Sequence, residues 1–236
     1  MIERLLPPYV ACASTREDDA PPGTLYPEEA ALVARSVDRR RHEFAAVRAC
    51  ARQAMAALGL PPAPVLRGHR GVPLWPAGTV GSMTHCDGYR AAALAGASDF
   101  RSLGIDAEPN APLPPGVWQA ISRPGERRRI TPGTAAAGAS GTVHWDRLLF
   151  SAKESVFKGW FPLTGIELDF EDAEISFHLA PGHTTEGTFT AQLMCSAPGL
   201  PGSFDGKWLV DDGFAVTAVT VPNPTPSRRM HPGAES

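Results

Sequence analysis

The sequence predicts an α/β fold in two halves, each built from one long helix and several short strands. Three observations carry this: apolar residues at helical spacing over residues 28–58, a second amphipathic stretch starting at Asp146, and strand-like alternation in four short runs after residue 173. With 236 residues, the chain can form one large domain or two of about 100–120 residues, and either buries well over half of its unfolded surface.

In the first helical stretch the periodic residues are Val33, Val37, Phe44, Val47, Ala51, Met55 and Leu58, and Gly59 with Pro61-Pro62 ends it. Its other faces carry Arg35, Arg39, Arg40, Arg41, Arg48 and Arg52 against Asp38 and Glu43. Residues 71–81 read as loop. Ser82, Thr84 and His85 fall in a polar turn leading into a buried strand of small residues at 91–95. Leu103-Gly104-Ile105 is a further short strand with Asp106 and Glu108 at its end, and Pro109 breaks it. Pro112, Pro114, Pro115 and Gly116 mark a linker, which divides residues 1–112 from residues 113–221.

Beyond the linker, a helical segment is expected at 117–121, a basic run at 123–129, and a mobile loop of Thr, Pro, Gly, Ala and Ser at 131–142. Asp146 is the expected N-cap of the second long helix. Its apolar face holds Leu149, Ala152, Val156 and either Gly159 or Trp160. Strands are expected over 174–179, 188–193, 207–210 and 214–219, followed by a disordered proline-rich tail at 222–236. The sequence has no P-loop, no Gly-x-Gly-x-x-Gly and no solenoid period.

Composition narrows the function. An apolar share of 43% and a charged share of 20% exclude disorder or a fibre for the body of the chain. The formal net charge of −3 gives no global field toward nucleic acid or membrane, so an anionic ligand must be held by local clusters. Cys12, Cys50, Cys86 and Cys195 are scattered, which reads as thiols in a reducing compartment and not as a zinc site or disulfide frame. The apolar run before Pro7-Pro8 is too short for a signal peptide or a membrane span, so a cytoplasmic protein is expected.

Asp106 and Glu108 lie two apart in extended chain and point to one face. Two acids there repel unless a proton or cation sits between them. Mg2+ favours such oxygen clusters; the plainer alternative is a solvated loop start. Glu154 and Lys158 form either an i,i+4 surface pair worth about 0.2–0.5 kcal/mol, or a third metal carboxylate with Lys153 and Lys158 beside it to hold phosphates. His85 reads as a hydrogen-bonded turn residue or a ligand contact. Arg40, Arg48 and Arg70 read as solvated charges or anion grips. Taken singly, each stays open.

As a set, in this order and spacing, these motifs resemble a known family. Gly104-Ile105-Asp106-Ala107-Glu108, the run from Phe150-Ser151-Ala152-Lys153-Glu154 to Leu163-Thr164, Trp75-Pro76 with Gly81-Ser82-Met83-Thr84-His85, and the stretch from Arg40 through Glu43-Phe44 to Arg48 are similar to 4'-phosphopantetheinyl transferases of the surfactin- and enterobactin-synthase type. The resemblance spans about residues 30–220. It implies a pseudo-duplicated α/β (α+β) fold, two similar halves with the active site between them. It also implies Mg2+-dependent transfer of 4'-phosphopantetheine from coenzyme A to a serine of an apo acyl or peptidyl carrier protein, releasing 3',5'-ADP.

By the same resemblance Asp106, Glu108 and Glu154 take the metal positions. Lys153, Lys158, Arg40, Arg48 and His85 take positions that grip the coenzyme's phosphates, with Arg70 a further candidate for that grip, and Ser82 and Thr84 contact the nucleotide. Glu154 is the first choice of general base, directly or through a water. The implied partners are coenzyme A and acidic, helical carrier domains of fatty-acid, polyketide, nonribosomal-peptide or siderophore synthases, met by a monomer. Residues 109–129, with Val117, Trp118 and Arg127-Arg128-Arg129, are the expected carrier surface, or else an exposed segment with solvated charges. Two departures stand out: Phe150 replaces a Trp frequent in relatives, and residues 131–142 have no clear counterpart. A non-catalytic coenzyme A or carrier-protein binding subunit and a Mg2+-dependent pyrophosphohydrolase are the competing readings.

Overall fold

The computed structural model describes residues 1–17, 20, 23–130 and 143–224. The loop expected at 131–142 and residues 225–236 of the expected tail lie outside the described residues. In chain order the elements are β1 (Ala11–Thr15), α1 (Pro27–Val33), α2 (Asp38–Ala57), β2 (Leu66–Arg67), β3 (Pro73–Leu74), β4 (Thr79–Cys86), β5 (Tyr89–Gly96), β6 (Phe100–Pro109), α3 (Val117–Ile121), α4 (Pro124–Arg129), α5 (Trp145–Thr164), β7 (Ala173–Leu179), β8 (Glu186–Leu193), β9 (Ser203–Asp211) and β10 (Phe214–Pro222). All strand pairs are antiparallel, in a sheet β1-β5-β4, a sheet β6-β10-β9-β8-β7 and a small ribbon β2-β3. The expected α/β class holds. None of the helices is long and apolar enough to cross a membrane among the described residues.

Helix α2 covers one face of the three-stranded sheet and α5 one face of the five-stranded sheet, each helix being 20 residues long. Strand β5 shows why small residues suit its place. Ala92 and Leu94 pack toward α2, whereas Ala91, Ala93 and Ala95 pack with Leu103, Ile105 and Ala107 of β6. Period-two alternation lets one strand serve two cores. Strand β6, although it precedes the expected boundary at residue 112, is hydrogen-bonded into the C-terminal sheet, with Asp106 opposite Thr217 of β10.

The two sheets are joined by side chains. Ser82 and Thr84, two apart on β4, accept hydrogen bonds from the backbone N–H groups of Ile105 (3.1 Å) and Ala107 (3.2 Å). Hydroxyls thus satisfy the β6 donors that face away from β10. On the other side α5 approaches β6 so closely that a Cβ at Gly104 would collide with the Ser155 carbonyl oxygen and stand 2.7 Å from the Gly159 nitrogen.

Three local expectations are corrected. The helix at 28–58 is two helices, because Val37 is extended (φ −64°, ψ 156°) and caps α2. Val37 leaves the apolar face altogether and is 74% exposed. His85 lies within β4, not in a turn; the reversal follows at Asp87-Gly88, where Gly88 supplies a φ of 78°. The N-cap of α5 is His144, not Asp146. Asp146 is instead buried and accepts the Leu113 N–H at 2.9 Å, which ties the linker to the helix.

A pair of buried carboxylates fixes the short helices. Glu29 of α1 accepts from the Tyr26 N–H, the Val65 N–H and Arg52 of α2. Glu126 of α4 accepts from the Arg123 N–H, the Ile175 N–H and Lys153 of α5. Each acid caps its own helix, holds a neighbouring backbone segment and meets a cation from the long helix. Both are 0% exposed.

Replacing Gly104 by Ala forces β6 and α5 apart, and we expect a loss of about 2–3 kcal/mol, read as a shift in the urea unfolding midpoint at unchanged slope.

Candidate active site

Helix α5 has two working faces. Leu149, Ala152, Val156 and Trp160 enter the core. Phe150, Glu154, Phe157, Lys158 and Phe161, spaced by four, three, one and three residues, line a cleft of about 460 Å³. Strand β6 brings Asp106 and Glu108 to the same cleft, β4 brings Ser82, Thr84 and His85, and α2 brings Arg40 and Arg48. Arg67 and Arg70 come from the β2-β3 region. Every site residue expected from the sequence lines this cleft except Lys153.

Lys153 points the other way. Its ammonium is buried and donates to Glu126 (2.9 Å) and to the Phe170 carbonyl (2.6 Å). Burial pulls its pKa down, opposed by the hydrogen bond and charge of Glu126. Lys153 and Glu154 are adjacent on the helix and rotated by about 100°, and here they diverge, Glu154 to the cleft and Lys153 to Glu126. The expected phosphate grip by Lys153 is therefore corrected: as placed, it is a structural cation.

At the acidic end, Asp106 is 3% exposed. Its Oδ1 accepts from Thr84 (3.1 Å) and Lys158 (2.6 Å), while Oδ2 has no hydrogen-bond partner among the described residues. Lys158 also donates to the Ile105 carbonyl at 3.3 Å. Glu108 pairs with Arg147 at 2.9 Å, and Arg147 is in turn held by the carbonyls of Ala111 (3.1 Å) and Pro112 (3.0 Å). Burial raises the Glu108 pKa, and the Asp106 charge raises it further against Arg147. Burial likewise raises Glu154, with Lys158 opposing and Asp106 adding.

As the side chains stand, no group of three acidic, histidine or cysteine residues among the described residues is arranged to surround a metal ion. Lys158 is paired with Asp106 and Arg147 with Glu108 instead. The donor chemistry nonetheless fits a hard cation: all-oxygen ligands, one buried carboxylate oxygen without a partner, and carboxyls whose ionised form is disfavoured without a counter-charge.

At the opposite end, Arg40, Arg48, Arg67 and His85 gather. Burial pushes Arg48 down to about 9, with Glu29 opposing and the charges of Arg67, Arg40 and Arg52 adding. Burial, with Arg40, lowers Arg67 as well. Arg40 donates to His85 Nε2 and to Glu43 (3.4 Å). Desolvation by the cleft walls lowers His85; a backbone hydrogen bond opposes this and Arg40 adds to it. Arg70, in a left-handed backbone conformation (φ 55°), reaches Glu167 at 2.5 Å. Ser82 and Thr84 present their chain to the cleft, but their hydroxyls are engaged with β6.

Arg67 is a cleft residue that the sequence did not betray, being a lone Arg beside Gly68 with no periodic pattern around it. The aromatic stripe of Phe157 and Phe161 was legible at helical spacing once the face opposite the core was traced. In the expected carrier surface, Trp118 is buried, Arg127 donates to the Gln119 and Ser122 carbonyls, and Arg129 to Glu174 and the Ile175 carbonyl; Arg128 is exposed.

The chain's relatives show that this fold and cleft belong to a transferase, and of which kind. Residues 28–95 match the 4'-phosphopantetheinyl transferase N-terminal domain, and residues 102–205 match the 4'-phosphopantetheinyl transferase superfamily. The chain is 54% identical to the 4'-phosphopantetheinyl transferase Svp of Streptomyces mobaraensis over 95% of this chain and 90% of that protein. It is 46% identical to Npt of Nocardia iowensis, over 93% and 99%. With PptT of Mycobacterium tuberculosis it shares 48% identity over 85% and 88%; both carry the same enzyme name. The chain belongs to the 4'-phosphopantetheinyl transferase family and is an enzyme, which removes the non-catalytic and pyrophosphohydrolase readings.

A substitution of Lys153 by Ala leaves Glu126 buried without its cation and is expected to cost about 3–5 kcal/mol in urea unfolding. Glu154→Gln tests the acidic end by pH. With its pKa raised in the folded state, Glu154 favours folding fully below its unfolded value near 4.5, and that contribution is lost as pH rises through the folded value. Without added metal, the Gln variant should melt about 2–4 °C higher at pH 7 and level with the parent at pH 4.

Proposed function

We propose that this enzyme transfers the 4'-phosphopantetheine of coenzyme A to a serine hydroxyl of an apo acyl or peptidyl carrier protein, releasing 3',5'-ADP. The observation that carries the reading is the cleft's polarity. Mutually repelling guanidiniums of Arg40, Arg48 and Arg67 crowd one end, and Lys158 with three carboxylates occupies the other. Cations assembled against their own repulsion suit a ligand with a terminal phosphate, and the acid-and-ammonium end suits a pyrophosphate.

In the reaction the serine oxygen attacks the β-phosphorus, the bond from that phosphorus to the bridging oxygen breaks, and the bisphosphate leaves. Charge crowding and positioning dominate such a barrier, so fixed cations supply most of the catalysis. Lys158 neutralises a non-bridging pyrophosphate oxygen. Arg40, Arg48, His85 and Arg67 hold the 3'-phosphate by charge-assisted hydrogen bonds, and Arg70 stands at the cleft rim as a further cation. Glu154 takes the serine proton, directly or through a water. Asp106, Glu108 and Glu154 would hold Mg2+, which when bound supplies Lewis-acid polarisation of the pyrophosphate. Phe150, Phe157 and Phe161 offer an apolar wall to the uncharged pantetheine arm. Lys153 has no part in this scheme. The proposed setting is the cytoplasm, as a monomer with its cleft completed within one chain, serving fatty-acid, polyketide, nonribosomal-peptide or siderophore synthases.

Incubating the enzyme with apo-carrier, coenzyme A and Mg2+ should raise the carrier's mass by one phosphopantetheine group in mass spectrometry; an unmodified carrier overturns the reading. Lys158→Ala should lower kcat about 100-fold, and Asp106→Ala should abolish transfer at saturating Mg2+, both followed by the same mass shift over time.

A further inference from the structure

Two of the four arginines that line the cleft are anchored by an acid or an imidazole, but Arg48 is not. Arg40 meets Glu43 and His85, and Arg70 meets Glu167. Arg48, 5% exposed, forms no ion pair among the described residues. Its one side-chain hydrogen bond is a long one to the Val65 carbonyl, 3.4 Å, and its Nε has no partner. What it does meet is Phe44, one helical turn earlier on α2. The guanidinium carbon stands 3.4 Å from the centroid of that ring, and the guanidinium carbon of Arg67 stands 5.3 Å from the same centroid. Phe44 is 1% exposed and does not itself line the cleft.

We propose that Phe44 is a positioning residue for the anion end of the cleft: its ring fixes Arg48 and Arg67 toward a terminal phosphate monoester and so sets the preference for coenzyme A over its form lacking the 3'-phosphate. The inference rests on the transferase reading above. Its physical basis is what a ring face does that a carboxylate cannot. A carboxylate holds a guanidinium by taking its N–H donors and cancelling its charge. An aromatic face attracts the cation through its quadrupole and takes no N–H donor. The fork stays charged and its donors stay open for phosphate oxygens. One ring also draws in two cations that repel each other, and a branched aliphatic chain of lesser polarisability would let them separate. Burial first, and then neighbouring guanidinium charges, lower the pKa of both arginines: Arg67 and Arg40 act on Arg48, and Arg40 acts on Arg67.

The test compares KM and kcat for coenzyme A and for dephospho-coenzyme A in the parent enzyme, Phe44→Leu, Phe44→Tyr and, as reference, Arg48→Ala. Phe44→Leu should raise KM for coenzyme A about tenfold and KM for dephospho-coenzyme A less than about twofold, with kcat at saturating coenzyme A held within the same limit. Phe44→Tyr, which keeps the ring, should restore the parent KM. If the Leu protein does not fold, Phe44→Met supplies an unringed side chain of comparable volume and is read in the same way. Equal rises in both KM values, or no rise in either, or a ringless variant that loses kcat alone, overturn the inference. A parent enzyme that modifies no carrier overturns the transferase reading instead, whereas an active parent whose preference survives Phe44→Leu leaves that reading standing and removes this one.

Discussion

Asp106 sits where the two sheets and helix α5 meet, and its contacts hold the three together. Its Oδ1 takes hydrogen bonds from Thr84 of β4 and Lys158 of α5. Its backbone lies opposite Thr217 of β10, whose hydroxyl donates to the Ser151 carbonyl of α5. A carboxylate this deeply buried persists only with donors aimed at it, and here those donors come from separate elements. Geometry follows from that constraint. Thr84 and Ser82 must project together from β4, α5 must press on β6 at Gly104, and Lys158 must lie one turn beyond Glu154. The cleft is the space that remains when these conditions are met.

Along that space the charges are sorted, not mixed. Guanidiniums with lowered pKa values gather at one end, and carboxyls with raised values at the other. Each cluster on its own disfavours the folded state. Folding tolerates the expense because the surrounding structure is over-determined: the Glu29 and Glu126 anchors, the alanine-lined β5 and the α5 core do not depend on the cleft at all. Most of the stability is therefore drawn from residues outside the cleft, while Asp106, Thr84 and Lys158 serve both the packing and the site.

Much of this was legible in the sequence, and the exceptions share a cause. The α2 and α5 periodicities, the small-residue strand and the four late strands follow from local periodic patterns that tertiary packing reinforces. The break before Val37 did not, since a β-branched residue in register with an apolar face gives no local sign that the chain will turn. His85 reads as a turn residue because it follows the polar Ser82 and Thr84 between a glycine-rich loop and a buried strand. In the structure the polar face of β4 is buried against β6, where hydroxyls replace a missing partner strand. Asp106, Glu108, Glu154 and Lys158 are readable from spacing because strand and helix periods alone bring each pair to one face. Arg67 is not, since only the fold sets that short ribbon beside Phe44 and Arg48.

Lys153 shows how far spacing reaches and where it stops. By sequence, Lys153 and Lys158 are two cations flanking one acid. Rotation along the helix sends Lys158 to Asp106 and Lys153 to Glu126, on opposite sides of the same turn and a half. The second destination is set by a carboxylate 27 residues away, in a short helix headed by Arg123-Pro124. The first long helix does the same thing: Arg52 reaches Glu29 beside Tyr26-Pro27, 23 residues away. In both halves, then, a Pro-initiated short helix supplies an acid that caps its own N-terminus, pins a neighbouring backbone N–H and neutralises one cation of the long helix. Lys153, buried in this way, lies outside the cleft whatever its neighbours in sequence suggest. In the proposed reaction the chemistry of α5 falls to Glu154 and Lys158, which line the cleft, whereas the Lys153 ammonium is buried against Glu126 outside it.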